Sequence, residues 1–282
     1  MKLLHGLLAA LIALATLAPT DALADKADGH YRRALSHKKA GKLDQAEMEC
    51  RKAIAERPNH QAAHFTLGTL LRRRGKWEDA LAAFKKVREL DELHGPGWAM
   101  EGAMLLRLKK YDLAAMSLRQ AVSIDPKDLT SIANLGSALR KQDKVEEAIG
   151  MYRWALEKNP DDPDILNNLA VALRKQRRND EALKLLKKAL KKHPNDPMFN
   201  ANMARTLRAS KRWGDAIPHY EKSLKSLANQ PGLWFDLGYC YEQTGQKDKA
   251  IDAYRKHISY IRTKDPKGAE RVQDVITKLE QE

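Results

Sequence analysis

The chain has 282 residues, with 51 lysines and arginines against 37 aspartates and glutamates, a net charge of +14 at pH 7. Two cysteines in that length exclude a disulfide-stapled scaffold. Past the first segment, no apolar run approaches the roughly 20 residues that a membrane span needs.

Residues 1–24 have the layout of a secretory signal peptide: Lys2, an apolar run from Leu7 to Leu17, then Ala22-Leu23-Ala24 as a small-residue cleavage site. Cleavage near Ala24 predicts a soluble mature chain that works in the periplasm or as a secreted protein, and no cysteine stands where a lipoprotein anchor would need one. The alternative, an uncleaved anchor helix, is opposed by Pro19 and Asp21, which cut the run short. Loss of this segment removes Lys2 and Asp21 together, so the basic excess belongs to the remainder.

From Ala27 to Lys264 one pattern recurs every 34 residues, seven times, without insertion: 27–60, 61–94, 95–128, 129–162, 163–196, 197–230 and 231–264. The clearest copy is 129–162. Ile132, Leu135 and Leu139, then Ala148, Tyr152 and Ala155, recur at three- and four-residue steps and give each of two helices an apolar stripe, with Pro160 closing the unit. Two antiparallel helices pack closely only where side chains are small, so Gly136 and Ala148 mark their crossing. Steps of 34 from Gly136 land on Ala34, Gly68, Gly102, Ala170, Ala204 and Gly238; from Ala148 they land on Ala46, Ala80, Ala114, Ala182, Ala216 and Ala250. A single hairpin cannot bury its own stripes, so stacked neighbours are required.

The departures from the pattern are informative. In the first copy His30 and Arg33 stand where apolar residues are usual, as on a face with no preceding repeat, and predict an amino-terminal cap. Cys50 takes a place held elsewhere by Phe84, Tyr152, Tyr220 and Tyr254, so it and Cys240 are expected to be buried thiols. Gly95-Pro96-Gly97, with Glu101 in place of a leucine, predicts a hinge or a ligand-bearing irregularity, against the plainer reading of a tolerated loop variation. Pro218 is expected to bend its helix or delay its start. Asp265-Pro266 reads as a helix start, followed by the stripe Ala269, Val272, Val275, Ile276 and Leu279 of a capping helix over residues 265–282.

The 34-residue unit, with its large residue, Leu135, Gly136, Ala148, Tyr152, Ala155 and Pro160, resembles the tetratricopeptide repeat (TPR). The resemblance implies an all-α fold, a right-handed superhelix (α-solenoid) of seven helix-turn-helix repeats plus the C-terminal helix, and a concave groove lined by the first helix of each repeat. It places Asn134, Asn168, Asn202 and Asp236 in that groove. Asparagine amides one repeat apart can donate to and accept from an extended backbone, as in the similar groove of the O-GlcNAc transferase superhelix. The twelfth and thirteenth places supply Lys38-Lys39, Arg72-Arg73, Leu106-Arg107, Arg140-Lys141, Arg174-Lys175 and Arg208-Ala209. Cations suit a helix carboxyl end. The doublets go further and predict a basic groove.

No phosphate-cradling loop, CxxC, HExxH or nucleophile motif occurs, so no catalytic residue and no cofactor is assigned. His30, His37, His60 and His64 are the nearest thing to a metal set, but His30 and His64 hold the packing place of Trp98 and Trp234. The expected function is a non-enzymatic scaffold of the cell envelope whose groove holds an acidic or extended peptide of a protein partner, touching membrane only through that partner. The rivals are a binder of an anionic polymer, lipopolysaccharide or nucleic acid, and an accessory subunit presenting substrates to a separate enzyme. Lack of an interleaved aromatic platform argues against nucleic acid.

Overall fold

The computed structural model describes residues 26–281, and among these it holds fifteen α-helices and no strand. The signal-peptide reading of residues 1–24 lies outside the described residues. The chain divides into two compact units, one ending at Ala138 and the other beginning at Leu139, so the division falls within α7 (Leu129–Lys141).

The first unit contains α1 (26–39), α2 (Leu43–Glu56), α3 (Gln61–Arg73), α4 (Trp77–Leu90), α5 (Gly95–Arg107) and α6 (Tyr111–Ile124). The second contains α8 (Val145–Lys158), α9 (Pro163–Lys175), α10 (Asn179–Lys192), α11 (Pro197–Ala209), α12 (Trp213–Leu224), α13 (Pro231–Gln243), α14 (Lys247–Ile261) and α15 (Pro266–Gln281). Helix starts keep the 34-residue step in both units. Two local devices set them. In four repeats the residue before the first helix caps it: His60, His94, Asp162 and Asp196 accept from the backbone N–H three residues on, using one of the donors a helix start leaves free. The turn into each second helix passes through one residue with left-handed backbone, at the fifteenth place of every repeat. Glycine fills it at Gly41, Gly75 and Gly245; Lys109, Asp143, Arg177 and Lys211 take the same conformation at a cost of about 1 to 2 kcal/mol each.

Packing follows the small residues. All seven alanines at the second-helix crossing, Ala46 through Ala250, are 0% exposed. The eighth-place glycines lie directly against a large side chain of the second helix: a Cβ on Gly68 would meet the Phe84 ring, one on Gly102 would meet Leu118, and one on Gly238 would meet Tyr254, all below 3 Å. Absence of a side chain at these three places lets a ring or leucine fill the crossing.

The first repeat differs from its sequence reading. His30 and Arg33 do not simply face an uncovered side; both converge on the buried Glu49 of α2, at 2.7 and 2.9 Å, joined by Lys52 at 2.7 Å. Burial alone would raise the Glu49 carboxyl, but hydrogen bonds from Lys52, His30 and Arg33 outweigh it and bring it down to about 2. Cys50 and Cys240 are free, buried thiols, each pushed up to about 11 by burial.

The Gly95-Pro96-Gly97 junction forms a regular, capped helix start. Pro96 occupies the first turn, where its missing N–H costs nothing, and His94 Nδ1 accepts from Gly97 N at 2.9 Å. Close packing explains both glycines, since a Cβ at Gly95 would press on Ile124 and one at Gly97 on Val87. Glu101 is buried because Arg88 of α4 meets it at 2.9 Å, with the same guanidinium over the Trp98 ring. Pro218 does not delay α12, which starts in register at Trp213 and ends early at Leu224. Burial of Ala216, Ile217 and Tyr220 holds the start against the loss of one ladder hydrogen bond. Asp265 caps α15 through Gly268 N, and Ala269, Val272 and Ile276 are buried, with Val275 and Leu279 packed beside the same core.

Candidate functional site

The face expected to bind a partner is carried by the first helices, and in the second unit three of them lie in sequence, with α11 touching both α9 and α13. Like-numbered residues of adjacent repeats therefore come side by side. The sixth-place residues do not behave as a uniform ladder. Asn168 is half-buried and its amide makes no hydrogen bond within the described protein. Asn202 is 2% exposed and its amide donates to Asn167 Oδ1 at 2.9 Å, so that rung is spent on the neighbouring helix. Asp236 is engaged by two cations, Arg205 Nε at 3.4 Å and Arg208 Nη2 at 3.2 Å. Asn134, in the first unit, is half-buried.

The basic doublets separate into two kinds. The twelfth-place arginines of α7, α9 and α11 are drawn inward. Arg140, Arg174 and Arg208 are half-buried, and each has at least one guanidinium nitrogen sealed from solvent without a partner: Nε of Arg140, Nη1 of Arg174 and Nε of Arg208. Burial lowers the Arg174 pKa, and repulsion from Arg205 adds to it. Burial works the same way on Arg208 and is the largest single influence, but Asp236 together with Tyr220 and Cys240 outweighs it and the value rises. Arg208 also lies over the Tyr239 ring, 5.8 Å from its centre. In the last repeat the same place holds Glu242, which accepts a hydrogen bond from the Tyr254 hydroxyl at 2.5 Å.

Thirteenth-place residues point outward. Lys175 is exposed, donates to the Arg140 carbonyl at 3.3 Å and pairs with Asp143 at 2.6 Å, so it serves the end of the preceding first helix. Arg107 lies over the Trp77 ring, 5.8 Å from its centre. Arg73 and Lys141 are exposed, as is Arg72 from the twelfth place, while Lys38 is half-buried.

Arg205 escaped the sequence reading. It is a ninth-place residue one helical turn before Arg208, on a face already assigned to the groove, and that spacing was the available signal. The histidines are occupied structurally: His60 and His94 cap helices, His30 meets Glu49, and His64 Nε2 lies 2.8 Å from the Pro58 carbonyl. Among the described residues no group of three or more His, Cys, Asp or Glu could hold a metal ion, and no helix is long and apolar enough to cross a membrane.

The sequence model of the tetratricopeptide repeat matches residues 31–95, 65–128, 134–197 and 202–269. Among solved structures, a tetratricopeptide repeat protein from Parabacteroides merdae aligns with a TM-score of 0.73 at 16% identity, over 92% of this chain and 100% of the other. PilF of Pseudomonas aeruginosa aligns at 0.64 and 19% identity, over 77% and 97%. MamA of Desulfovibrio magneticus aligns at 0.57 and 22%, over 59% and 94%. At these identities the likeness is one of fold. No curated protein sequence matches the chain.

Proposed function

The chain belongs to the tetratricopeptide repeat family, in general a family of non-enzymatic protein-interaction scaffolds, and from that premise we propose that it binds an extended, acidic peptide segment of a protein partner along its first-helix face. The observation that carries this reading is the excess of half-buried cations on α9 and α11 over the carboxylates beside them, with the unpaired Asn168 amide on the same helix as Arg174. A cation whose water is partly stripped away gains most from a carboxylate. An amide with nothing to bond inside the protein is free to hold a peptide backbone. In this reading the scaffold acts outside the cytoplasm, on the strength of the Lys2 to Ala24 layout. Intact mass of the native protein is then expected to begin at Asp25; a chain retaining Met1 would overturn the localisation.

The binding claim is tested with a fluorescent, acetylated and amidated hexaglutamate peptide. Asn168→Ala is expected to weaken binding by about 2- to 12-fold, the loss of one hydrogen bond, at low and high salt alike. Arg174→Gln is expected to weaken it at low salt and less at high salt, where charges are screened. A second reading, attachment of an anionic polymer to the outer face, is favoured by α10, where Lys184, Lys187, Lys188 and Lys191 are exposed on one stripe. Hexaglutamate binding that ignores Asn168 and Arg174 but is abolished by Lys187→Glu with Lys188→Glu would replace the groove reading with that one.

A further inference from the structure

Two arginines of the second unit meet on one acid, and a third acts on the group from the neighbouring helix. Arg205 and Arg208 of α11 both engage Asp236 of α13, and Arg174 of α9 lies within the electrostatic reach of all three. Asp236 is the one carboxylate among the leading influences on both Arg174 and Arg208. The group thus holds three fixed cations and one anion in surroundings where Asp236 is only 14% exposed and the two arginines facing it 35%. Charges of one sign gathered in a half-buried place repel more strongly than in open water.

The contacts to Asp236 are also long and single-point. Charge-assisted bonds from arginine usually close to about 2.7 to 2.9 Å and often pair two N–H groups with both oxygens. Elsewhere in the protein they do close, at 2.9 Å for Arg88 on Glu101 and 2.9 Å for Arg33 on Glu49. At 3.4 and 3.2 Å, Asp236 is shared between two guanidinium groups and satisfies neither. The sealed Nη1 of Arg174 and Nε of Arg208 have no hydrogen-bond partner and are out of reach of a ligand, so Asp236 alone is shared among three guanidinium charges.

We propose that Arg174, Arg205 and Arg208 form a carboxylate-binding subsite in which Asp236 is a built-in competitor, loosely held in the free protein and displaced from the two arginines of α11 when an acidic side chain or chain terminus of the partner enters. The inference rests on the groove reading above and adds to it a position and a sign. A carboxylate that hydrogen-bonded the peptide, as a further rung beside Asn168, would help binding. A competing carboxylate opposes it.

The test uses the full mature chain and the hexaglutamate probe at low salt. Asp236→Asn is expected to bind at least about fivefold more tightly than the unsubstituted protein, the release of two weak, half-exposed ion pairs. A control removes the same charge elsewhere in the unit: Asp252→Asn, exposed on α14, is expected to change binding less than about twofold, the size of a distant, screened charge. Arg205→Gln is expected to weaken binding and to abolish most of the gain when combined with Asp236→Asn. Should Asp236→Asn fold poorly, the arginine Nε–H resonances of the unsubstituted chain give an independent reading, with Arg205 and Arg208 expected to shift on adding hexaglutamate and Arg255 of α14 to stay. Equal or weaker binding by folded Asp236→Asn, while Asn168→Ala still weakens the probe, overturns the competitor and leaves the groove reading standing. Equal tightening by Asp236→Asn and Asp252→Asn overturns it as well, since net charge alone would then account for the gain. No binding by any form overturns both.

Discussion

Replacing Gly68 by alanine sets two effects of opposite sign against each other. In an open helix the change stabilises by about 1 kcal/mol, because glycine's backbone loses more freedom on ordering. At Gly68 the added Cβ would stand 2.8 Å from two ring carbons of Phe84 and 3.0 Å from a third, well inside the roughly 3.5 Å at which carbon atoms rest. The ring has little room to yield, being fully buried and set edge-on against Phe65 with centres 5.6 Å apart. The sixth repeat carries Ala204 and Tyr220 natively, both fully buried, so α3 and α4 are expected to spread rather than unfold. Overpacking of this kind costs about 1 to 3 kcal/mol, so a net loss of about 1 kcal/mol remains after the helix gain. Gly150 of α8 supplies the control: nothing lies within 4 Å of its absent Cβ, and Gly150→Ala is expected to gain about 1 kcal/mol. Urea unfolding followed by circular dichroism compares the two. Repeat arrays need not unfold in one step, so hydrogen exchange of the α3 and α4 amides provides the local value. A Gly68→Ala protein stabilised as much as Gly150→Ala would refute the packing argument.

Arg177→Gly relieves a left-handed backbone at φ 58 and is expected to gain about 0.5 to 1 kcal/mol, strain relief less glycine's entropy; an unchanged or lower urea midpoint contradicts this. Glu49 is held down to about 2, below its ordinary value of about 4.3. Its contribution is therefore present at neutral pH and lost as pH falls from about 5 toward 2, worth about 1 to 2 kcal/mol once screening at the half-exposed Arg33 and Lys52 is counted. Glu49→Gln is expected to flatten that acid slope, and identical slopes for the two proteins would show that the cluster contributes nothing. Removal of residues 265–282 takes away Val272 and Ile276, both buried, and is expected to cost exchange protection in α14 and promote self-association. A truncated chain that stays monomeric with α14 fully protected would make α15 dispensable to the fold.

Much of this protein follows from one-dimensional periodicity. A 34-residue phase with glycine or alanine at one place and alanine at another is enough to locate helix pairs, because close crossing tolerates only small side chains and burial demands stripes at steps of three and four. Asp265-Pro266 and the stripe after it were equally legible, since capping and amphipathicity are local. The left-handed turn residue was harder to see where it is Lys109, Asp143, Arg177 or Lys211, because only the regularity of the turn, and not the residue type, marks it.

The candidate site was legible only as a face. Position within the repeat says that Asn202 and Asp236 belong beside Asn168, but not how each spends its hydrogen bonds. Only adjacency of α9, α11 and α13 decides that Asn202 gives its amide to Asn167 and that Asp236 falls between Arg205 and Arg208, and only the approach of α9 to the end of α7 lets Lys175 reach the Arg140 carbonyl. Those pairings join residues some 30 positions apart, and they depend on side-chain reach across a helix interface, which a repeat pattern does not encode. The periodic small residues determine where the helices go; the non-repeating polar residues acquire partners, and with them any binding role, only once the helices stand side by side.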